Sequence, residues 1–172
     1  MKASVLFLSA VLFAAPGMPA QTITDAQIAS IVVTANQVDV DAGKLAAAST
    51  TNPEVRKFAQ LMVTDHSGVN EQAVALVTRL KVTPEDNETS RGLKAGGEKN
   101  VAALKALKGA AFDKAYVDHE VAYHQAVLDA VDKTLIPNAK NAELKALLVK
   151  VRPAFVAHLQ HAKHLAASLE GK

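Results

Sequence analysis

Three of the six histidines lie close together near the end of the sequence, in AHLQHAKHLAASL at positions 157–169. Imidazole is a common ligand of zinc, copper and iron, so this spacing raises the question of a metal site. A helix turns by about 100° per residue, which puts His161 and His164 about 60° and 120° around the axis from His158. One helix cannot direct all three rings at one ion. His158 is the one that falls on the apolar face.

Two further histidines and an aspartate lie on apolar faces elsewhere in the chain. His66, His124 and Asp39 each continue a series of apolar residues spaced by threes and fours, the pattern of the buried face of a helix. Three neutral imidazoles and one carboxylate form a ligand set that suits zinc, copper or iron(II). The sequence therefore predicts one divalent metal site. Its predicted ligands are Asp39, His66, His124 and His158.

Two more residues are predicted to border this site. Glu120 lies one turn before His124, and His161 lies on the flank of the apolar face of its helix. Each could orient a ligand through a hydrogen bond, which is how residues around a metal site support it. His164 lies further round its helix and is predicted to be at the surface.

A purely structural interpretation of the same residues stays open. Buried imidazoles lose hydration and need hydrogen-bond partners, which neighbouring helices could supply without any ion. Glu120, Tyr116 and Tyr123 are candidates for this role, and Asp65 is expected at a helix interface beside His66. A buried polar cluster of this kind would fix the register of the helices.

Apolar periodicity and capping residues predict the elements that must position these side chains. Four long helices are expected at about 24–49, 53–81, 111–135 and 141–169, and a short one at about 91–108 after a polar loop at 82–90. Thr24 and Asn52 are the expected N-caps of the first two helices. Pro153 lies inside the last helix, where it predicts a kink.

The fold class that follows is all-α, a ferritin-like four-helix bundle with a short crossover helix between helices two and three. The connection of about thirty residues allows helices two and three to run in the same direction. An up-down-up-down bundle with a helical excursion is the alternative. In both topologies the apolar faces meet in the interior, where bundles build metal and cofactor sites.

The N-terminus predicts export. Residues 1–20 combine Lys2, an apolar stretch too short to span a bilayer, and a small-residue cleavage site ending at Ala20, as in a secretory signal peptide. The mature domain is then 21–172, in the periplasm or outside the cell. A retained anchor or a core helix is the alternative interpretation. The sequence has no cysteine, so the stability of the fold must come from packing.

Charge and composition limit the partners. The net charge is +2 with both signs interspersed, which argues against nucleic-acid binding. No membrane-spanning segment is predicted after cleavage of the signal peptide. Hydrophobic residues make up 49% of the chain and aromatic residues only 4%, which favours closely packed helices. A homodimer is left open, and no small-molecule ligand is predicted.

Four stretches of the sequence are similar to a known family. They are DVDAGKLA (39–46), VRKFAQLMVTDHSGVNEQ (55–72), FDKAYVDHEVAYH (112–124) and RPAFVAHLQHAKHL (152–165). Together they resemble the bacterial domain-of-unknown-function family numbered 4142, which is grouped with the ferritin-like superfamily. The resemblance implies a signal peptide, export and a ferritin-like fold. It also points to the positions Asp39 (usually Glu in the family), His66, Phe112, Asp113, Tyr116, His124 and His158.

The sequence departs from the di-iron pattern of ferritins, which requires Glu-x-x-His on two helices and two further glutamates. The residues three before His66, His124 and His158 are Val63, Val121 and Phe155. We therefore predict an exported helical bundle protein that binds a divalent metal. The alternative is a non-catalytic structural or stress-protective envelope protein. The chain shows no nucleophile triad or phosphate loop, so an enzyme is the less favoured interpretation.

Overall fold

The computed structural model describes residues 23–170, and this part of the chain is helical throughout, without strands. Its helices are α1 (Asp25–Ser49), α2 (Pro53–Leu80), α3 (Glu88–Lys105), α4 (Gly109–Ala130), α5 (Ile136–Asn138) and α6 (Ala142–Glu170). The all-α prediction is confirmed. The predicted signal peptide at 1–20 lies outside the described residues. Within 23–170, none of the helices has the length and apolar content that a membrane crossing requires.

The first two helices begin at the predicted caps. Thr24 accepts a hydrogen bond from the backbone of Gln27, and the Gln27 side chain accepts one from the Thr24 backbone, which completes a capping box. The Asn52 side chain accepts from the backbone N–H groups of Glu54 and Val55. These bonds satisfy amide groups that have no partner within the helix. Both predicted helix starts are confirmed.

Helix α3 begins earlier than predicted. Part of the polar loop expected at 82–90 is helical, because Asn87 accepts a hydrogen bond from the Ser90 N–H while the Ser90 hydroxyl accepts one from Asn87 N–H. This box starts the helix at Glu88. The helix also ends three residues before the expected position. The segment was predicted to be a loop because it is polar, and the capping box of Asn87 and Ser90 was missed.

Helix α4 is interrupted before its predicted end. A π-helical turn at Val131–Leu135 follows it, and the Ile136 N–H donates to the Val131 carbonyl five residues back. Pro137, which has no N–H to donate, follows in the short helix α5. The helix α6, in contrast, continues through Pro153.

The directions of the helices follow from which residues meet. Early residues of α1 contact late residues of α2 and α4, and late residues of α1 contact early ones. The pairs are Asn36–His66 and Ala47–Arg56 for α1 with α2, and Ala35–Tyr123 and Thr50–Asp113 for α1 with α4. Both α2 and α4 are therefore antiparallel to α1 and parallel to each other, as the long connection between them predicts.

Helix α3 carries the chain back along α1. Asn87 donates to the Gln27 carbonyl near the start of both helices, and Gly97 approaches Val38 further along. An alanine Cβ at position 97 would lie 2.7 Å from both Val38 methyl carbons. Gly97 is one of two adjacent glycines in α3, and this close approach explains why a glycine is placed there. Its missing side chain lets α3 lie close to α1.

The core consists of two apolar clusters. One contains Ile28, Val32, Val69, Leu76, Leu128, Val131, Leu148 and Phe155, and the other contains Ala42, Ala46, Phe58, Met62, Phe112, Tyr116, Ala162 and Leu165. Helices α1, α2, α4 and α6 contribute to both clusters. Along each helix the residues between the clusters include buried polar side chains. The four helices therefore enclose a polar layer with apolar packing above and below it.

The close approach of α1 to α2 predicts opposite effects for two glycines. An alanine Cβ at Gly43 would lie 3.0 Å from the Ala59 carbonyl oxygen and 3.0 Å from a Val63 methyl carbon. Because the backbone of α2 cannot yield easily, Gly43→Ala should destabilise the protein by about 1–2 kcal/mol. Gly68→Ala meets nothing within 4 Å. It should stabilise the protein by about 0.5–1 kcal/mol through helix propensity. Urea unfolding of both variants tests this, and equal effects would contradict it.

Candidate metal centre

Six polar side chains form the layer between the apolar clusters. They are Asn36, Asp39, His66, Glu120, His124 and His158, and none is more than 3% exposed. Helix α1 supplies two of them, α2 one, α4 two and α6 one. Each lies on the apolar face of its helix, because it continues the spacing by threes and fours of the neighbouring core residues. The four helices thus deliver their polar side chains to one depth in the interior.

Three of these side chains meet at one point. His66 Nε2 lies 3.3 Å from His124 Nε2 and 3.1 Å from Asp39 Oδ2. His124 Nε2 lies 3.5 Å from the same Asp39 oxygen. The His158 ring centroid is 5.2 Å from that of His66 and 5.5 Å from that of His124. One nitrogen of each histidine lies within 4.8 Å of the others. The structure thus brings Asp39, His66 and His124 together and places His158 beside the two histidines.

The hydrogen bonds of Nδ1 show which ring nitrogen of His66 and of His124 carries the proton. The Asn36 amide nitrogen donates to the Val32 carbonyl at 2.7 Å, so the Asn36 oxygen faces His66 Nδ1, also at 2.7 Å. His66 Nδ1 must therefore carry the proton and donate. His124 Nδ1 likewise donates to the Glu120 carbonyl at 3.0 Å. A neutral imidazole has one proton, so both Nε2 atoms are left with bare lone pairs.

One ring nitrogen of His158 also has a hydrogen-bond partner, which lies on α2. Its Nε2 lies 2.8 Å from Asp65 Oδ2, and this carboxylate can only accept when it is ionised. His158 Nδ1 is buried and has no hydrogen-bond partner within the described chain. Each histidine therefore has one nitrogen tied to an acceptor and one without a proton. This is the arrangement of metal-binding histidines, in which the outer N–H group orients the ring.

The neutral state of the rings has a clear electrostatic cause. Burial, and to a smaller extent the neighbouring imidazoles, lower the pKa of His66 to about 2. Burial also lowers the pKa of His124 to about 4, and that of His158 falls for the same reason. Phe155 stacks on His66 at a centroid distance of 5.2 Å and keeps water from one ring face. Neutral imidazole is the form that binds metal ions.

The two buried carboxyl groups differ in their charge. Burial raises the pKa of Asp39 to about 7, and contact with Glu120 offsets part of the rise. Burial raises the pKa of Glu120 well above its usual range, and the nearby Asp39 raises it further. Of the two carboxyl groups, Asp39 is the one whose pKa lies near neutral pH. Glu120, Asp39 and His124 also lie within 4.8 Å of one another through single ligand atoms.

The spacing of the inner atoms matches a known coordination geometry. Zinc binds nitrogen and oxygen at about 2.0–2.1 Å, so adjacent ligand atoms of a tetrahedral site are about 3.3–3.4 Å apart. The separations among His66 Nε2, His124 Nε2 and Asp39 Oδ2 are 3.1, 3.3 and 3.5 Å. These three atoms have the dimensions of one face of such a tetrahedron. His158 Nδ1 is the remaining free nitrogen.

The residues predicted around the ligands have different positions. Glu120 lies in the polar layer beside His124, with Nδ1 to Oε2 at 3.5 Å. His161 places its ring edge against Phe58 at a centroid distance of 4.9 Å, and its supporting role stays a prediction. His164 is exposed, as predicted. The Tyr123 hydroxyl donates to the Ala35 carbonyl and does not serve a histidine.

Two residues that orient the histidines were missed from the sequence. Asn36 continues the spacing by fours of Ile28 and Val32, so its place on the buried face could have been found. Asp65 was expected at a helix interface but was not assigned to His158. That pairing depends on how α2 and α6 pack, and no spacing within either helix reveals it.

Comparison with family models assigns the chain to a family. Residues 12–165 match the model described as Domain of unknown function (DUF4142). The match covers most of the chain, so the protein belongs to this family, as the four similar stretches predicted. Comparison with curated proteins and with solved structures gave no match. Membership assigns no activity, so the functional argument rests on the site.

The depressed pKa of His66 predicts a pH-dependent cost of its replacement. Below its usual value of 6.5, the unfolded chain binds a proton at His66 that the folded protein does not, until about pH 2. The folded state therefore loses about 1.4 kcal/mol per pH unit through this group as the pH falls. His66→Asn removes this loss. Its destabilisation should shrink by about 2 kcal/mol between pH 6.5 and pH 5.

Urea unfolding of chelator-treated protein at several pH values measures this effect. His164→Asn, at an exposed position of α6, is the matched control. A cost of His66→Asn that stays the same at pH 6.5 and pH 5 would contradict the assignment of a neutral, buried ring.

Proposed function

We propose that the protein binds one divalent transition metal ion through Asp39, His66, His124 and His158. The observation that carries the proposal is a buried cluster of ligand atoms at the spacing of a metal site. The Nε2 atoms of His66 and His124 and the Asp39 carboxyl group face one another at 3.1–3.5 Å, and the buried carboxyl group of Glu120 is the neighbour of Asp39. Each buried polar group left without a partner costs about 1–3 kcal/mol. A cation at this point would satisfy all of them.

The donor set supports a mononuclear site for zinc, copper or iron(II). Imidazole nitrogen suits all three metals, and three ligand atoms with the spacing of one face of a tetrahedron suit zinc in particular. A di-iron centre is not supported, because Asp39 and Glu120 are the only carboxyl groups of the polar layer, too few to bridge two irons. Four protein ligands leave a tetrahedral ion no open position. This favours metal binding over catalysis.

The arrangement of the helices supports a ferritin-like bundle as the scaffold. Helices α2 and α4 run parallel, and the connection between them carries α3 back along α1, which is the topology of bundles with one long crossover. The pattern of residues 1–20 supports export to the periplasm or the cell exterior. In that setting the protein would take up or retain a metal ion outside the cytoplasm.

Metal titration of tag-free, chelator-treated protein tests the proposal. About one zinc, copper or iron(II) ion should bind per chain, and at a free metal concentration of 100 times Kd it should stabilise the fold by about 2.7 kcal/mol. His66→Ala and His124→Ala should weaken binding by at least about 100-fold, while His164→Ala should bind normally. Stoichiometry below about 0.2 per chain by elemental analysis, or unchanged binding by both variants, would overturn it.

The partner of His158 gives a second test. Asp65→Ala removes the acceptor that holds His158 Nε2, and loss of such an outer partner costs about 10–100-fold in metal affinity. Asp65→Asn keeps an acceptor oxygen and should recover part of the affinity. Asp129→Ala, an exposed acidic position on α4, is the control. If Asp65→Ala binds metal as tightly as the control, His158 is not a ligand.

A structural role for the cluster is the second candidate, and the pKa of Asp39 favours it. With a pKa of about 7, Asp39 holds a proton in part of the population and can then donate to His66 Nε2. This candidate predicts that a His124→Leu variant still folds and keeps any cellular phenotype, because no bound ion is lost. The two candidates are distinguished by the metal titration, since a structural cluster binds no ion.

A further inference from the structure

An apolar cavity of about 270 Å³ lies directly against the polar layer. Its walls are side chains of the first apolar cluster, among them Ile31, Val131, Leu148 and Phe155. Its inner end is formed by Asn36, Asp39, His66 and His124. The cavity thus joins an apolar chamber to the acceptor atoms described above.

The size of the cavity indicates a ligand rather than a packing defect. Protein interiors rarely contain voids larger than a water molecule. An engineered cavity of about 150 Å³ with apolar walls stays dry and binds benzene. The cavity described here is larger, and its walls are almost entirely apolar, so water gains few hydrogen bonds in it. A compact apolar molecule would fill it with favourable contacts.

Some of the residues that line the cavity are exposed, which indicates where a ligand could enter. Thr89 and Leu93 of α3 and Tyr123, Ala126 and Ala130 of α4 belong to its lining. Thr89 and Ala126 are exposed, and the other three are half-buried. A molecule could therefore enter between α3 and α4.

The π-helical turn forms part of the same wall. Its first and last residues, Val131 and Leu135, both line the cavity. Turns of this kind occur often at functional sites, because they change the direction of side chains within a helix. The departure from regular helix at the end of α4 thus coincides with the chamber.

The polar end determines the chemistry of the ligand. The bare lone pairs of His66 and His124 favour a ligand that carries a hydrogen-bond donor. An anion would be repelled by the Asp39 carboxylate, and an ammonium group would lose its hydration against apolar walls. A neutral hydroxyl group can donate at little desolvation cost.

We propose that this cavity is a binding site for a small apolar alcohol of the phenol class, whose ring lies among Leu148, Val151 and Phe155 and whose hydroxyl donates to a bare imidazole nitrogen of His66 or His124. The site exists in the metal-free protein. It therefore does not depend on the proposed metal function, and failure of metal binding would leave it unaffected.

Fluorine NMR with 4-fluorophenol on chelator-treated, full-length mature protein tests the proposal. Saturable binding is expected with a Kd of about 1 mM or below, given the few atoms of the probe. Fluorobenzene has the same ring without the donor and should bind about 5–10-fold more weakly, because it leaves the acceptors unpaired. Absence of saturation by 4-fluorophenol at 10 mM (about ten times the expected Kd) would overturn the proposal, as would equal affinity for the two probes.

A cavity-filling variant locates the bound probe. Ala130→Leu adds a side chain inside the lining and should reduce 4-fluorophenol binding at least about 10-fold. Ala122→Leu makes the same change on an exposed face of α4 that does not line the cavity and should bind normally. If Ala130→Leu fails to fold, Leu93→Trp at the entrance should block binding instead. Normal binding by the folded cavity or entrance variant would overturn the proposal.

Discussion

Lone pairs that face one another without a proton between them are the constraint on which this structure depends. Every buried polar group must find a partner, and most of the layer does so on its outer side. On the inner side, two imidazole nitrogens and a carboxylate face a common point. The two apolar clusters hold the helices in this arrangement. Hydrophobic burial above and below the layer thus stabilises a polar interior that is unfavourable by itself.

The hydrogen-bond partners that orient the three histidines lie in different parts of the structure. His124 is tied to a backbone carbonyl of its own helix, so α4 alone fixes this bond. His66 is tied to Asn36, whose own orientation is fixed by the Val32 carbonyl of α1. His158 depends on a partly exposed carboxylate across the α2–α6 interface. The first two rings are thus fixed from within the core, while His158 is held from the surface of the molecule.

Much of this architecture was predictable, because the period of a helix is visible in the sequence. Spacing by threes and fours placed Asp39, His66, His124 and His158 on buried faces, and it placed the exposed His164 outside. The tautomers and the Asp65–His158 pair were not predictable, since they depend on distances between helices. The early start of α3 was missed because a capping box lay in a polar segment. The π-helical turn leaves no periodic signal.

The order of the helices has a consequence for when the centre can form. Asp39 is in the first helix and His158 in the last, so the four side chains meet only when both ends of the domain are in place. A nascent or proteolysed chain without α6 would keep three of the four residues but lose the one that closes the cluster. Because a preformed site does not exist in an incomplete chain, the affinity for an ion would report that folding is finished. The polar layer is therefore complete only in a domain that retains both its first and its last helix.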